Sequence, residues 1–113
     1  MPKFRLMKKK RWSNLVEGYF RESENIRLVV QIVDMRHTPS AQDFQMLDFL
    51  YSKKIPFIVA ASKCDKLNKT QKDIRTGELS DELSEYKNIN WIACSSVTGE
   101  GINTIKSLIV ESI

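Results

Sequence analysis

Three short apolar runs, separated by amphipathic stretches, constrain this chain more than any other feature. They are RLVVQIVD at 27–34, FIVAA at 57–61 and NWIAC at 90–94. Each is rich in β-branched or aromatic residues. The first is a near-continuous run rather than an alternation, which predicts a strand covered on both faces. Trp12, Leu15, Val16, Tyr19 and Phe20 recur at helical spacing over residues 10–22. Ser40 is placed to cap a helix through residue 52, with Asp43 favouring its first turn. Pro56 opens the second strand, where a missing N–H does least harm. Thr70 is placed to cap a helix to about Tyr86, although Gly77 weakens it by about 1 kcal/mol of propensity. Gly99 and Gly101 mark a turn, and Ile102, Ile105, Leu108, Ile109 and Ile113 predict a last helix. The expected class is α/β, a three-stranded parallel sheet with about four flanking helices.

The 113 residues make one domain at most, with 42% hydrophobic and 28% charged residues. A chain of this length buries a core without disulfides or metals. No apolar run approaches the roughly 20 residues that span a bilayer, and no secretory signal follows the N-terminus. Cys64 and Cys94 have neither CxxC nor Cys/His spacing, so reduced thiols in a cytoplasmic protein are expected rather than a disulfide or zinc site.

The formal charge of +4 is unevenly spread. Residues 1–11 hold six basic residues and no acidic one, while 12–113 carry a net −2. The chain therefore divides into a basic N-terminal segment, 1–11, and an acidic globular part, 12–113. The basic segment is read as a solvated terminus, since no aromatic interleaving accompanies the charge. A surface for nucleic acid or an acidic partner is the alternative.

Ligands of such sheets bind beyond the carboxyl ends of the strands. Three loops follow those ends: Asp34-Met35-Arg36-His37-Thr38-Pro39, Ser62-Lys63-Cys64-Asp65-Lys66 and Ser95-Ser96-Val97. The second resembles the [NT]KxD guanine-specificity motif of GTPases. Guanine offers N1–H and N2–H₂ as parallel donors, and one carboxylate accepts both. Adenine leaves that carboxylate unpaired, at a cost of about 1–3 kcal/mol or more. The lysine stem covers the base plane with its methylenes. Ser95-Ser96 falls where GTPases carry an SA[KL]-like motif, whose backbone N–H donates to guanine O6. Plain helix-entry capping is the simpler reading of the two serines.

The chain resembles the C-terminal half of the EngB/YihA/YsxC family of bacterial ribosome-assembly GTPases. The matching stretches are WSNLVEGYF, VVQIVDMRHTPSAQDFQMLDFL, IPFIVAASKCDKL and CSSVTGEGI. The segment carrying Asp34, Arg36, His37, Pro39, Asp43 and Met46 is the most family-specific. The resemblance implies a partial P-loop GTPase fold that binds GTP or GDP, with Mg²⁺ in the complete protein only. The guanine-binding positions it implies are Ser62, Lys63, Cys64, Asp65, Cys94, Ser95 and Ser96. It also implies association with the large ribosomal subunit and a link to septation and normal cell division.

Ser62 departs mildly from the usual Thr or Asn, and Val97 follows the serine pair. No GxxxxGK[ST], switch threonine segment or DxxG occurs in the 113 residues. Lys8-Lys9-Lys10 is no substitute for a glycine-held nest of backbone N–H groups. The expectation is a base-recognition half without the phosphate half, with no catalytic or metal residues and no GTP hydrolysis alone. A non-catalytic α/β module acting through its basic N-terminus is the alternative. Arg36 and His37 are expected to be structural, holding the loop against Asp43 or nearby backbone, and the two cysteines to be packing residues. The strand at 27–34 is expected to be an unprotected edge through which the chain self-associates.

Overall fold

A computed structural model describes residues 28–113. The segment 1–11, the helix expected over 10–22, and Arg27 lie outside the described residues. The element order is β1 (Val29–Asp34), α1 (Ala41–Ser52), β2 (Phe57–Ser62), a 3₁₀ turn (Cys64–Lys66), α2 (Lys69–Glu82), β3 (Trp91–Ala93) and α3 (Ile102–Glu111). The strands form one parallel sheet in the order β1-β2-β3. Its register pairs Val29 with Phe57, Asp34 with Ser62, and Ala61 with Ala93.

Alternation assigns the faces of the sheet. Val33, Val59 and Ala61 join Leu47 of α1 and Leu79 of α2 in one buried cluster, with Met35, Cys64, Leu83 and Tyr86. Ile58 and Ala60 point the other way and are also buried. Helix α3 lies near that second face at β3: a Cβ on Gly101 would meet the Ala93 carbonyl at 2.2 Å and Ile92 Cγ2 at 3.1 Å. With φ +76, Gly101 is a position where any side chain is both strained and blocked. Among the described residues the cover of the second face stops short of β1, where Ile32 is 64% exposed.

Helix starts follow local chemistry. Ser40 caps α1 and Asp43 returns the bond, forming a reciprocal capping box. Helix α2 differs from expectation. Its cap is Asn68, two residues before Thr70, because Asn68 and Gln71 close a capping box of their own. It also ends at Glu82 rather than Tyr86. The Leu83 amide bonds Leu79 as the cap, and the following turn seats Leu83 and Tyr86 in the core. The Tyr86 hydroxyl donates to Asp48 at 2.6 Å, and burial beside that carboxylate pushes its phenol above the ordinary tyrosine range.

Candidate functional site

All three strands end at one edge of the sheet, and their loops are stitched together by backbone bonds. Met35 N–H donates to the Ser62 carbonyl at 2.9 Å, and the Ser62 hydroxyl donates to the Val33 carbonyl at 3.1 Å. Cys94 N–H donates to Ala61, and Cys64 N–H donates to Cys94, at 2.8 and 3.1 Å. Ser62, Lys63, Cys64, Asp65, Cys94, Ser95 and Ser96 therefore occupy two touching loops.

Lys63 turns the chain out of β2 in the left-handed region, at φ 64 and ψ 30. That conformation is costly for a residue with a Cβ. It feeds the 3₁₀ turn that carries Asp65, whose side chain is 12% exposed. Asp65 Oδ1 accepts from the Ser95 hydroxyl at 2.7 Å, and Lys66 Nζ stands 4.0 Å from Oδ2.

Ser95 is wholly buried and its hydroxyl is fully engaged. It donates to Asp65 and accepts from the Val97 and Thr98 amides, each at 3.1 Å. Its own amide donates to the Glu100 carbonyl at 3.0 Å. The next amide differs: Ser96 is exposed, and its N–H has no acceptor among the described residues. The serine pair thus divides its work. Ser95 fixes the acid, and Ser96 presents a donor to solvent. The simpler expectation of helix-entry capping does not describe it, because Gly101 is the N-cap residue of α3.

Cys64 and Cys94 are buried free thiols, and burial first, then Glu100, pushes both above the ordinary thiol range. That environment suits packing residues. Arg36 and His37 do not lean on Asp43, which is occupied by the α1 capping box. Arg36 instead grips Asp34, with Nη2 at 2.8 Å from Oδ2 and both Nε and the backbone N at 3.0 Å from Oδ1.

Two contributors had no signal in the sequence. Arg75 of α2 is 8% exposed and reaches across to the first loop. Its Nε donates to the Met35 carbonyl at 2.7 Å and its Nη2 to the His37 carbonyl at 2.8 Å. Glu82 and Glu78 balance its charge at 3.1 and 3.3 Å. Lys72, one turn earlier, forms an ion pair with Glu100 and ties α2 to the third loop. An open cavity of about 430 Å³ lined by Leu50, Tyr51, Lys54, Phe57 and Ile89 lies at the opposite end of the strands, away from these loops.

Among the described residues, no group of three or more His, Cys, Asp or Glu side chains is placed to hold a metal ion. What the loops offer is a fixed carboxylate, an open amide 31 residues further along the chain and Lys63 paired with Asp34, a set suited to a flat heterocycle with adjacent donors and an acceptor.

Residues 14–113 match the family described as the elongation factor Tu GTP binding domain. The chain belongs to that family. It is 38% identical over 111 residues to a probable GTP-binding protein EngB of Streptococcus sanguinis, covering 96% of this chain and 57% of that protein. A probable EngB of Thermotoga petrophila is 37% identical over 98 residues, covering 87% and 50%. The chain thus spans about half the length of the curated relatives it matches. A crystal structure of a probable GTP-binding protein engB shares the fold at TM-score 0.68 and 24% identity, over 92% of this chain and 65% of the other. Elongation factor SelB of Methanococcus maripaludis superposes at TM-score 0.66 and 26% identity, over 75% of this chain and 19% of the other. No helix among the described residues is long and apolar enough to cross a membrane.

Proposed function

We propose that this chain supplies the guanine-recognition half of an EngB-type GTPase, binding the base of GTP or GDP. The observation that carries this is Asp65, held by Ser95 beside the open Ser96 amide. A carboxylate has about four lone-pair sites, so the Ser95 bond leaves capacity for guanine N1–H and N2–H₂. The Ser96 amide is the donor for O6, and the Lys63 stem covers one face of the base. Ser62 acts indirectly, closing β2 against β1, while Cys64 and Cys94 fill the space behind the loops.

Phosphoryl transfer depends on Mg²⁺ and on backbone and lysine contacts to the β- and γ-phosphates. The chain carries no P-loop sequence, so it does not hydrolyse GTP alone, and Mg²⁺ belongs to the complete protein. The EngB resemblance further supports a cytoplasmic protein that acts on the large ribosomal subunit, with consequences for septation and cell division. The alternative, a binding module working through residues 1–11, rests on residues outside the described part.

Self-association belongs to the same reading. Among the described residues β1 is an edge strand, and Ile32 is 64% exposed in its middle. An apolar edge with open N–H and C=O groups pairs readily with a second copy.

The reading is tested by titrating GDP and ADP into the isotope-labelled chain. GDP is expected to shift the amides of residues 63–66 and 94–97 with an affinity of about 1 mM or weaker, because most nucleotide affinity comes from the absent phosphate contacts. ADP is expected to leave them in place. Equal responses to the two nucleotides would contradict it.

A further inference from the structure

Asp34, at the end of β1, is an acid that the guanine reading leaves unused, and several groups hold it in place. The parallel register sets Asp34 opposite Ser62, so its carboxylate stands beside Lys63, the first residue after β2. Asp34 Oδ2 lies 3.8 Å from Lys63 Nζ. The same carboxylate takes three bonds from Arg36, two from the guanidinium and one from the backbone. The loop bearing Arg36 is itself clamped on both sides, since Arg75 binds the carbonyls of Met35 and His37. Clamp, guanidinium, carboxylate and lysine form one continuous series from the buried face of α2 to the rim of the site.

Lys63 needs such support. Its side chain is 56% exposed, and its backbone sits in a left-handed conformation that few lysines adopt. A free lysine stem samples many rotamers, and confining it costs conformational entropy. A wall for a flat base has to be in place before the base arrives, or that cost is subtracted from binding.

We propose that Asp34 is a positioning residue for the nucleotide base, anchoring the Lys63 ammonium so that the lysine stem stands ready as one wall of the base site. This rests on the guanine reading above and extends it to a residue outside the two base loops. Arg36 serves Asp34 rather than the ligand: it spends its Nε and one terminal nitrogen on the carboxylate and fixes the direction of both oxygens. The hydrogen bonds from Arg36 hold the Asp34 carboxyl below the usual carboxylate range, so the anchor for Lys63 extends into acid solution.

The test is a double-mutant cycle in the full chain, read by GDP titration of the Ser96 amide. Asp34→Asn is expected to weaken GDP by about two- to fivefold, the range of a partly exposed ion pair. Lys63→Met weakens it as well, and the double variant is expected to be no weaker than Lys63→Met alone. Equal loss from Asp34→Asn in both backgrounds would overturn the proposal. A second measurement needs no nucleotide: relaxation of the Lys63 side-chain methylenes should show greater mobility in Asp34→Asn than in the parent, with Glu78→Gln as an unchanged control. Unchanged methylene mobility would likewise overturn it. Failure of the guanine reading is told apart by Asp65→Asn in the same titration. If that variant keeps the parent's base preference, the guanine reading falls, and the Asp34 proposal with it. If the preference changes while the cycle is additive, only the Asp34 proposal falls.

Discussion

The Ser95 hydroxyl donates to the Asp65 carboxylate at 2.7 Å while accepting the amides of Val97 and Thr98. One buried oxygen therefore couples the acid of the second loop to the backbone of the third. The orientation of Asp65 follows from that coupling rather than from its own loop.

Ser95→Ala removes a donor to Asp65 and strands two amides at once. Each hydrogen bond lost is worth about 0.5–1.5 kcal/mol, so losing the three part-buried bonds is expected to cost about 1–3 kcal/mol by urea denaturation. Ser96→Ala is the comparison. Its side chain is exposed, and the change is expected to stay within about 0.5 kcal/mol.

Arg75→Met leaves the Met35 and His37 carbonyls and two glutamates without their cation. A loss of about 2–4 kcal/mol is expected, because charge-assisted bonds to partly buried groups are the expensive ones to break. Glu78→Gln touches only an exposed member of the network, and its cost should fall within about 0.5 kcal/mol. Denaturation midpoints of the two variants side by side check the contrast.

The hydrogen bonds from Arg36 hold the Asp34 carboxyl well below the usual carboxylate range, against an opposing push from burial. A carboxyl depressed on folding stabilises the native state above its unfolded pKa of about 4 and loses that contribution as pH falls through the folded value. The stability gap between the parent and Asp34→Asn is therefore expected to be widest near pH 7 and to narrow in increasingly acid solution. Denaturation curves across that range measure it. A gap that widens on acidification would mean that Asp34 is not the depressed group.

Among the described residues Val30 sits on the edge strand β1, half-buried beside exposed Ile32. A lysine at an edge blocks strand addition by placing charge where a second chain would lie. Light scattering is expected to show the parent chain associating and Val30→Lys reducing its apparent mass. A parent that stays monomeric at high concentration would contradict pairing through this edge.

Much of the fold is legible in the sequence because its signals are local. Ser40 and Asp43 announce α1 by spacing alone, and Gly99 and Gly101 both adopt positive φ where the turn was expected. The start of α2 differs from the expected Thr70 because Thr70 and Asn68 are both capping residues. The box with Gln71, visible as Asn-Lys-Thr-Gln, decides for Asn68. The two touching loops were legible because Ser-Lys-Cys-Asp and Ser-Ser each follow an apolar run. What was not legible is long-range. Arg75 meets carbonyls 40 and 38 residues away, and nothing in its surroundings in sequence marks it for burial. Ser95 looks identical to Ser96 until Asp65 arrives beside it. Lys63 gives no sign of a left-handed backbone, a conformation imposed by the turn out of β2.

The central claim is that Asp65 reads the donor edge of guanine, and base exchange at that edge tests it most directly. Xanthine carries a carbonyl where guanine has its amino group. In Asp65→Asn the amide N–H₂ can meet that carbonyl while its oxygen still accepts N1–H. The measurement is the relative affinity for GDP and xanthosine diphosphate, by titration of the Ser96 amide, in the parent and in Asp65→Asn. The parent is expected to prefer GDP and the variant xanthosine diphosphate, a reversal worth about 1–3 kcal/mol for one mismatched buried partner. An Asp65→Asn chain that keeps the parent's guanine preference would contradict the assignment of residues 62–65 to the base.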